Sequence, residues 1–328
     1  MTSTPVRIAL TIGDPAGIGA EIIARLLADS AARRRAHITL IGNHDALARG
    51  AASAGVRVPQ PDDEWLSIPE WAGSDSVFEP GVISEASGRF MLDSLELAVQ
   101  HVLEGHADAV CFGPLNKSAL RAGGMQEEDE MRWFAKLLDH RGVCGELNVL
   151  DPLWTARVTS HIPLREVSDR LSPEAVADAV GMLAAALRAS GIEAPRIGVC
   201  GLNPHNGDHG NYGSEESDII EPGMRLAAAR GVASTGPYPA DTIFLRARAG
   251  EFDGIVTMYH DQGQIATKLL GFEVGVTVEG GLPIPVTTPA HGTAYDIVGQ
   301  GRASGTAMAR AFDLACRMAR SKQTAAAA

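Results

Sequence analysis

This 328-residue sequence has little of what marks several protein classes. Aromatic residues make up only 5% of it, and its four cysteines (Cys111, Cys144, Cys200, Cys316) lie far apart, with no C-x-x-C pair. A zinc knuckle or a redox pair needs close spacing, so buried thiols in a reducing cytosol are the expected state. Positive charge is in deficit: 28 Lys and Arg stand against 40 Asp and Glu, a formal net charge of −12. That field disfavours nucleic acid or an anionic membrane as a general partner, although a local cluster of cations would still admit a small anionic substrate. No apolar run approaches the roughly 20 residues that a bilayer span requires. The N-terminal string MTSTPVRIALTIGDP carries an apolar run too short for a signal peptide, broken by Gly13 and Pro15. A soluble, cytoplasmic protein is expected.

The residues that are present describe an ordinary globular chain, 45% hydrophobic and 21% charged. Short β-branched runs at 7–12, 37–41, 109–112, 155–159, 196–200 and 254–258 read as strands. Between them lie stretches rich in Ala and Leu at 19–27, 89–103, 128–138, 173–189 and 221–230, with apolar residues at three- and four-residue spacing. Alternation of this kind predicts an α/β protein with a largely parallel sheet. Ser172, Pro173 and Glu174 read as an N-cap, a first-turn proline and an early acidic residue. The polar stretch 60–76 reads as a surface excursion, and the tail SKQTAAAA after Arg320 as frayed.

Ligand sites of α/β proteins sit at the C-terminal ends of parallel strands, and polar, unusual residues follow the strands here. After the first strand comes Gly13-Asp14-Pro15-Ala16-Gly17-Ile18-Gly19. It lacks the G-x-G-x-x-G spacing and the P-loop lysine, so it reads either as an anion-approaching loop at a helix start or as a tight turn. After 109–112 comes Gly113-Pro114-Leu115-Asn116-Lys117, whose lysine could hold a carboxylate or phosphate. His161, His205 and His260 each follow a strand closely and can converge at one rim. Three neutral imidazoles suit a divalent ion with an open coordination position, and Asp261 could orient one of them. His209 and Asp208 are less regularly placed and read as bystanders. The small residues of 289–297 would let a flat heterocycle lie against the backbone. This string resembles the adenine-side loop of isocitrate and isopropylmalate dehydrogenases, which makes His291, Gly292, Thr293, Ala294 and Asp296 candidates for cofactor contact.

Seven strings, in order and across nearly the whole chain, resemble the 4-hydroxythreonine-4-phosphate dehydrogenase family. They are GDPAGIG at 13–19, GPLNK at 113–117, SHIPL at 160–164, GLNPHNGDHGNYGSEE at 201–216, GPYPADT at 236–242, MYHDQG at 258–263 and HGTAYDIVGQG at 291–301. The resemblance implies two α/β domains of largely parallel sheet with an interdomain cleft, similar to isocitrate and isopropylmalate dehydrogenases. The domains expected are 1–130 with 295–328, and 131–294. It implies that His161, His205 and His260 bind a divalent metal, zinc first, with manganese, magnesium or cobalt as alternatives, and that NAD or NADP is the cofactor. It implies a homodimer with shared active sites, in which one imidazole joins from the partner chain. Lys268 falls at the family's substrate-binding lysine, and Asp241 lines the same cleft; with Lys117 these are the catalytic candidates.

The departures from the family pattern concern the substrate. Where the family has Gly-His-Thr-Glu, this chain has Asp129-Glu130-Met131-Arg132, and where the family has Asn and Arg it has Thr277 and Val286. Losing an arginine and gaining a glutamate makes the pocket less suited to a phosphate dianion. Glu130, Met131, Lys268, Thr277 and Val286 are therefore the substrate-contact candidates. The substrates that the resemblance implies are 4-phospho-threonate or 4-phospho-erythronate, 4-hydroxythreonine-4-phosphate, or an aromatic cis-dihydrodiol acid such as that of terephthalate. All are β-hydroxy acids, so oxidation to a β-keto acid with loss of carbon dioxide is expected. Three rivals stand beside this reading. A three-histidine zinc hydrolase would not need the 291–294 loop, and a phosphate acyltransferase-like enzyme would not need the metal trio. A non-catalytic ligand-binding relative is the third.

Overall fold

Every residue of the run Val6–Thr11 except Arg7 is buried, and a strand of that kind needs cover on both faces. It forms β1 in a computed structural model that describes residues 5–61, 65–68, 76–271 and 274–327. The other strands are β2 (Ala36–Ile41), β3 (Trp65–Ile68), β4 (Ala109–Phe112), β5 (Gly145–Leu150) and β6 (Leu153–Arg157). They continue with β7 (Ile197–Cys200), β8 (Thr235–Tyr238), β9 (Gly254–Thr257), β10 (Val276–Gly280) and β11 (Val286–Pro289). Contacts divide the chain into a first unit of Met1–Arg141, Glu273–Val278 and Leu282–Ala328, and a second of Gly142–Phe272 with Glu279–Gly281.

In the first unit the strands run in the order β3-β2-β1-β4-β11-β10. All neighbours are parallel except β10 and β11. Helix Glu85–Leu103 packs on β1 and β4, and helix Thr306–Ala327 packs on β1, β4 and β11. The core gathers Leu95, Val99, Val110, Phe112, Phe134 and Val286, all at most 1% exposed. The side chain of Ser84 starts the first of these helices by accepting from the Ser87 N–H at 3.0 Å.

In the second unit the order is β5-β6-β9-β7-β8, parallel except for β5 and β6. Helix Pro173–Ala189 packs on β6 and β9, and its Ser172 cap accepts from the Ala175 N–H at 3.1 Å, as the sequence predicts. Leu153, Cys200, Ile243, Phe244, Phe252 and Ile255 form a core on this unit. Both units are α/β with mostly parallel strands, the expected class.

Two local expectations are corrected. Of the stretch 60–76, read as a surface excursion, residues 65–68 form β3 beside β2, and Trp65 is 3% exposed. The short apolar run there completes a sheet edge; residues 62–64 and 69–75 lie outside the described residues. The tail after Arg320 is helical to Ala327, with Lys322 Nζ donating to the Pro283 carbonyl at 2.9 Å and Gln323 to Asp108 at 3.0 Å. Alanine, lysine and glutamine are strong helix formers, and these two anchors hold the last turns. The four cysteines are free thiols; Cys111, Cys200 and Cys316 are buried, and burial pushes the Cys111 thiol up to about 12. Among the described residues no helix is long and apolar enough to cross a membrane.

Candidate active site

The parallel pairing of β6 with β9 decides where two of the histidines go. Beyond the strands the register continues: the Val158 N–H donates to the Thr257 carbonyl at 2.9 Å, and the Thr159 N–H to that of Met258 at 3.1 Å. The Thr159 hydroxyl donates to the same Met258 carbonyl at 2.7 Å. His161 and His260 therefore leave the sheet side by side, with ring centroids 5.6 Å apart and planes inclined by 43°. His260 opens helix His260–Gly271, and its Nδ1 lies 2.8 Å from an Asp261 carboxylate oxygen. An ionised carboxylate only accepts, so in the neutral ring the proton sits on Nδ1 and the Nε2 lone pair is left for a cation. That donor chemistry fits a divalent metal.

His205 is placed differently. It belongs to a run from His205 to His209 in which every φ is positive, between 45° and 76°, a left-handed excursion in which only Gly207 lacks a Cβ. The run is held from below by Glu216, 5% exposed, whose Oε1 accepts the N–H groups of Leu202 and Asn203 at 2.8 and 2.7 Å. Asn206 donates to the Pro237 carbonyl at 2.8 Å, and Gln262 to that of Gly201 at 2.8 Å. So braced, His205 is exposed and faces Tyr212, with ring centroids 6.4 Å apart. Among the described residues no three His, Cys, Asp or Glu side chains are gathered to hold a metal within one chain. Two of the three expected imidazoles are neighbours; His205 is not with them.

Asp241 is exposed in the first turn of helix Ala240–Arg248, and Lys268 is exposed two turns beyond His260, about 12 Å along the helix. One set of side chains went unread in the sequence: Arg157, Glu146, Asn148 and Gln264, which hydrogen-bond to one another beside the histidine pair. The available signal was a lone arginine ending the strand LWTAR three residues before the Ser160-His161 string.

The first unit carries the remaining candidates. After β1 and β4 the two loops interlock: the Asp14 N–H donates to the Pro114 carbonyl at 2.9 Å. Gly13 has φ +71°, and a Cβ there would stand 2.4 Å from the Gly113 carbonyl. The Ile18 N–H donates to the Thr293 carbonyl at 3.1 Å, which lays the 291–296 loop on Gly17. His291 and Ala294 are half-buried, Thr293 is buried, and Gly292 and Asp296 are exposed. A cavity of about 300 Å³ adjoins this loop, lined by Gly17, Ile18, Arg49, Gly50, Val298 and Gly299. That volume is at the small end for a ligand pocket. The Tyr295 hydroxyl donates to Asp14, which is buried; burial raises the Asp14 carboxyl, and the bonds from Tyr295 and the Ala16 N–H pull it back in part.

Lys117 begins helix Lys117–Ala122 and stands 3.8 Å from Glu130, which begins helix Glu130–Leu137. The structure thus joins a catalytic candidate to a substrate-contact candidate as an ion pair. Asp129 is explained by its cap: it accepts from the Arg132 N–H at 2.9 Å. Met131 is buried, Thr277 is half-buried opposite Thr288 on β10, and Val286 is fully buried in the core.

The family model described as pyridoxal phosphate biosynthetic protein PdxA matches residues 26–315. A Pseudomonas aeruginosa protein, provisionally named 4-hydroxythreonine-4-phosphate dehydrogenase 2, is 52% identical over 96% of this chain and 98% of its own. A Bradyrhizobium diazoefficiens protein, provisionally named D-threonate 4-phosphate dehydrogenase, is 38% identical over 96% and 97%. The crystal structure of 4-hydroxythreonine-4-phosphate dehydrogenase from Klebsiella pneumoniae superposes with a TM-score of 0.83 at 32% identity, covering 97% of this chain and 99% of that one. A terephthalate 1,2-cis-dihydrodiol dehydrogenase from Burkholderia xenovorans follows at 0.68 and 27%, covering 96% and 98%. A β-decarboxylating dehydrogenase from Thermococcus kodakarensis, at 0.52 and 14% over 94% and 81%, shares the fold alone.

Proposed function

This chain belongs to the PdxA family, and from that membership we propose that it is a metal-dependent dehydrogenase of a phosphorylated four-carbon β-hydroxy acid, 4-phospho-threonate or 4-phospho-erythronate. An oxidoreductase acting on a CH–OH group is the coarser statement that its relatives' names support. The observation that carries the metal dependence is the His161–His260 pair, with Asp261 leaving an imidazole lone pair for a cation, while the choice of substrate rests on the relatives' names and stands against the altered Glu130 and Val286 positions.

In this reading His161 and His260 hold a divalent ion, zinc first, and His205 of the partner subunit completes the set in a homodimer. His205 is exposed, and among the described residues it is not gathered with its own chain's pair, which supports that assignment. When bound, the ion supplies Lewis acidity that lowers the pKa of the substrate hydroxyl, and NAD or NADP takes up the hydride. Asp261 holds the His260 proton on Nδ1 and so fixes which nitrogen faces the cation. Lys268 and Lys117 are the cations on hand for an anionic substrate, with Asp241 the candidate for proton transfer, and Glu130 moderates Lys117 by pairing with it. The interlocked 13–19 and 291–296 loops offer backbone and small side chains to the dinucleotide. The β-keto acid so formed then loses carbon dioxide.

The deciding experiment follows nicotinamide reduction with NAD and NADP against four-carbon sugar-acid phosphates and an aromatic cis-dihydrodiol acid, with zinc, manganese and magnesium compared. Turnover of the phosphates, abolished in a His161→Ala/His260→Ala variant, is expected. Reduction confined to the cis-dihydrodiol acid would move the chain to the terephthalate-type branch, and wild-type activity in the double variant would sink the metal assignment.

A further inference from the structure

One continuous set of hydrogen bonds runs from Ser160, the residue before His161, to Gln264, four residues after His260, and we propose that Arg157, at its centre, positions the two imidazoles for the metal. This rests on the metal reading above. Arg157 ends β6 and its side chain is only 7% exposed. Its Nε donates to the Ser160 hydroxyl at 2.9 Å, its Nη1 to the Asn148 side-chain carbonyl at 2.8 Å, and its Nη2 to Glu146. The same Asn148 oxygen accepts from Gln264 at 2.6 Å.

The ends of that path lie beside the metal candidates in the chain. Ser160 directly precedes His161. Gln264 lies four residues after His260 on one helix, so the two share a face. Arg157 therefore grips the loop that carries one imidazole and, through Asn148, the helix face that carries the other. A guanidinium suits this task because its donors are fixed in one plane, so three acceptors, two on β5 and one on the loop after β6, are held at set angles; an ammonium has no such fork. Glu146 neutralises the charge, so Arg157 is not spent on attracting substrate. A largely buried ion pair of this kind adds little net stability, and its use is to fix one arrangement.

The test uses chelator-stripped full-length protein titrated with Co²⁺, read by the visible ligand-field spectrum, in wild type, Arg157→Met, Arg157→Lys and Gln264→Ala. Melting temperatures of the stripped proteins are taken alongside. Arg157→Met is expected to weaken Co²⁺ binding about 10- to 100-fold, the usual cost of losing a residue that orients a ligand. Gln264→Ala should move the same way by less, and Arg157→Lys should recover part of the loss, each with an altered spectrum. Wild-type affinity and spectrum in both Gln264→Ala and Arg157→Lys would overturn the proposal, whether or not Arg157→Met folds. A mere brace between β5 and β6 would give that result together with lowered melting temperatures. Failure of the wild type itself to bind Co²⁺ would instead remove the metal reading, and the role of Arg157 with it.

Discussion

Asp14 is buried in the first unit, and burial raises its carboxyl above the ordinary carboxylate value. Burial and the neighbouring carboxylate also push the Tyr295 phenol up, so Tyr295 remains the donor across the working range of pH. Between the unfolded carboxyl value and the raised folded one, the native state binds a proton that the unfolded state has released. Stability from this group therefore rises as pH falls through that window, and the cost of the buried charge is fully present above it. Asp14→Asn removes the charge and keeps one carbonyl acceptor for the Ala16 N–H, while its amide NH2 faces the Tyr295 hydroxyl, which turns to accept. The variant should gain in melting temperature relative to wild type at pH 7 and lose that advantage at pH 4. A calorimetric difference equal at both values would show that Asp14 is not desolvated as described. Lys117 and Glu130 make a milder case at the same scale. Their pair is 3.8 Å long with the lysine half in solvent, so Glu130→Gln should lower KM for a phosphorylated substrate by only about 1.5- to 5-fold. An unchanged KM would take Lys117 out of substrate binding.

Single elements explain more than single charges do at the histidine rim. Five consecutive residues with positive φ, four of them bearing Cβ atoms, are costly, and the segment His205–His209 persists because Glu216 satisfies the backbone beneath it. Glu216→Ala would leave two N–H groups without their acceptor, at a cost of about 1–3 kcal/mol in denaturant unfolding. If His205 is a metal ligand as proposed above, metal affinity should fall with it, since His205 rides on that segment; a loss under 0.5 kcal/mol, outside the roughly 1–3 kcal/mol range, would show the loop braced elsewhere. The elements themselves were largely legible beforehand. The 109–112 strand and the 173–189 helix coincide with Ala109–Phe112 and Pro173–Ala189, because a buried parallel strand is an unbroken apolar run and a capped helix announces its start. The placement of polar residues at strand ends was legible for the same reason. Pairings through space were not. Arg157 meets partners 3, 9 and 11 residues away on other elements, and Gln264 meets Asn148 across 116 residues. No local pattern encodes such distances. Nor could spacing reveal that His161 and His260 pair while a left-handed run turns His205 outward.

Across the whole molecule, that outward histidine makes a quantitative claim about assembly. If each site takes His161 and His260 from one chain and His205 from its partner, the lesions can complement. A chain carrying His205→Ala still offers an intact pair, and a chain carrying His161→Ala/His260→Ala still offers an intact His205. Each homodimer is dead at both sites. In a heterodimer of the two, one site combines the intact pair with the intact His205, and the other site combines all the lesions. Random reassortment makes about half of the dimers mixed, each with one of two sites working, so mixing the two inactive proteins should restore about a quarter of wild-type activity. The recovery should appear at the rate of subunit exchange and vanish when the dimers are cross-linked before mixing. Should all three imidazoles come from a single chain, the mixture would stay inactive however long it stood, because no chain in it has all three. The negative net charge adds a second reading at this scale. With −12 overall, an anionic substrate of the proposed kind approaches against the mean field, so moderate salt should lower KM. A KM that rises steadily with ionic strength would show that local cations set the field the substrate meets.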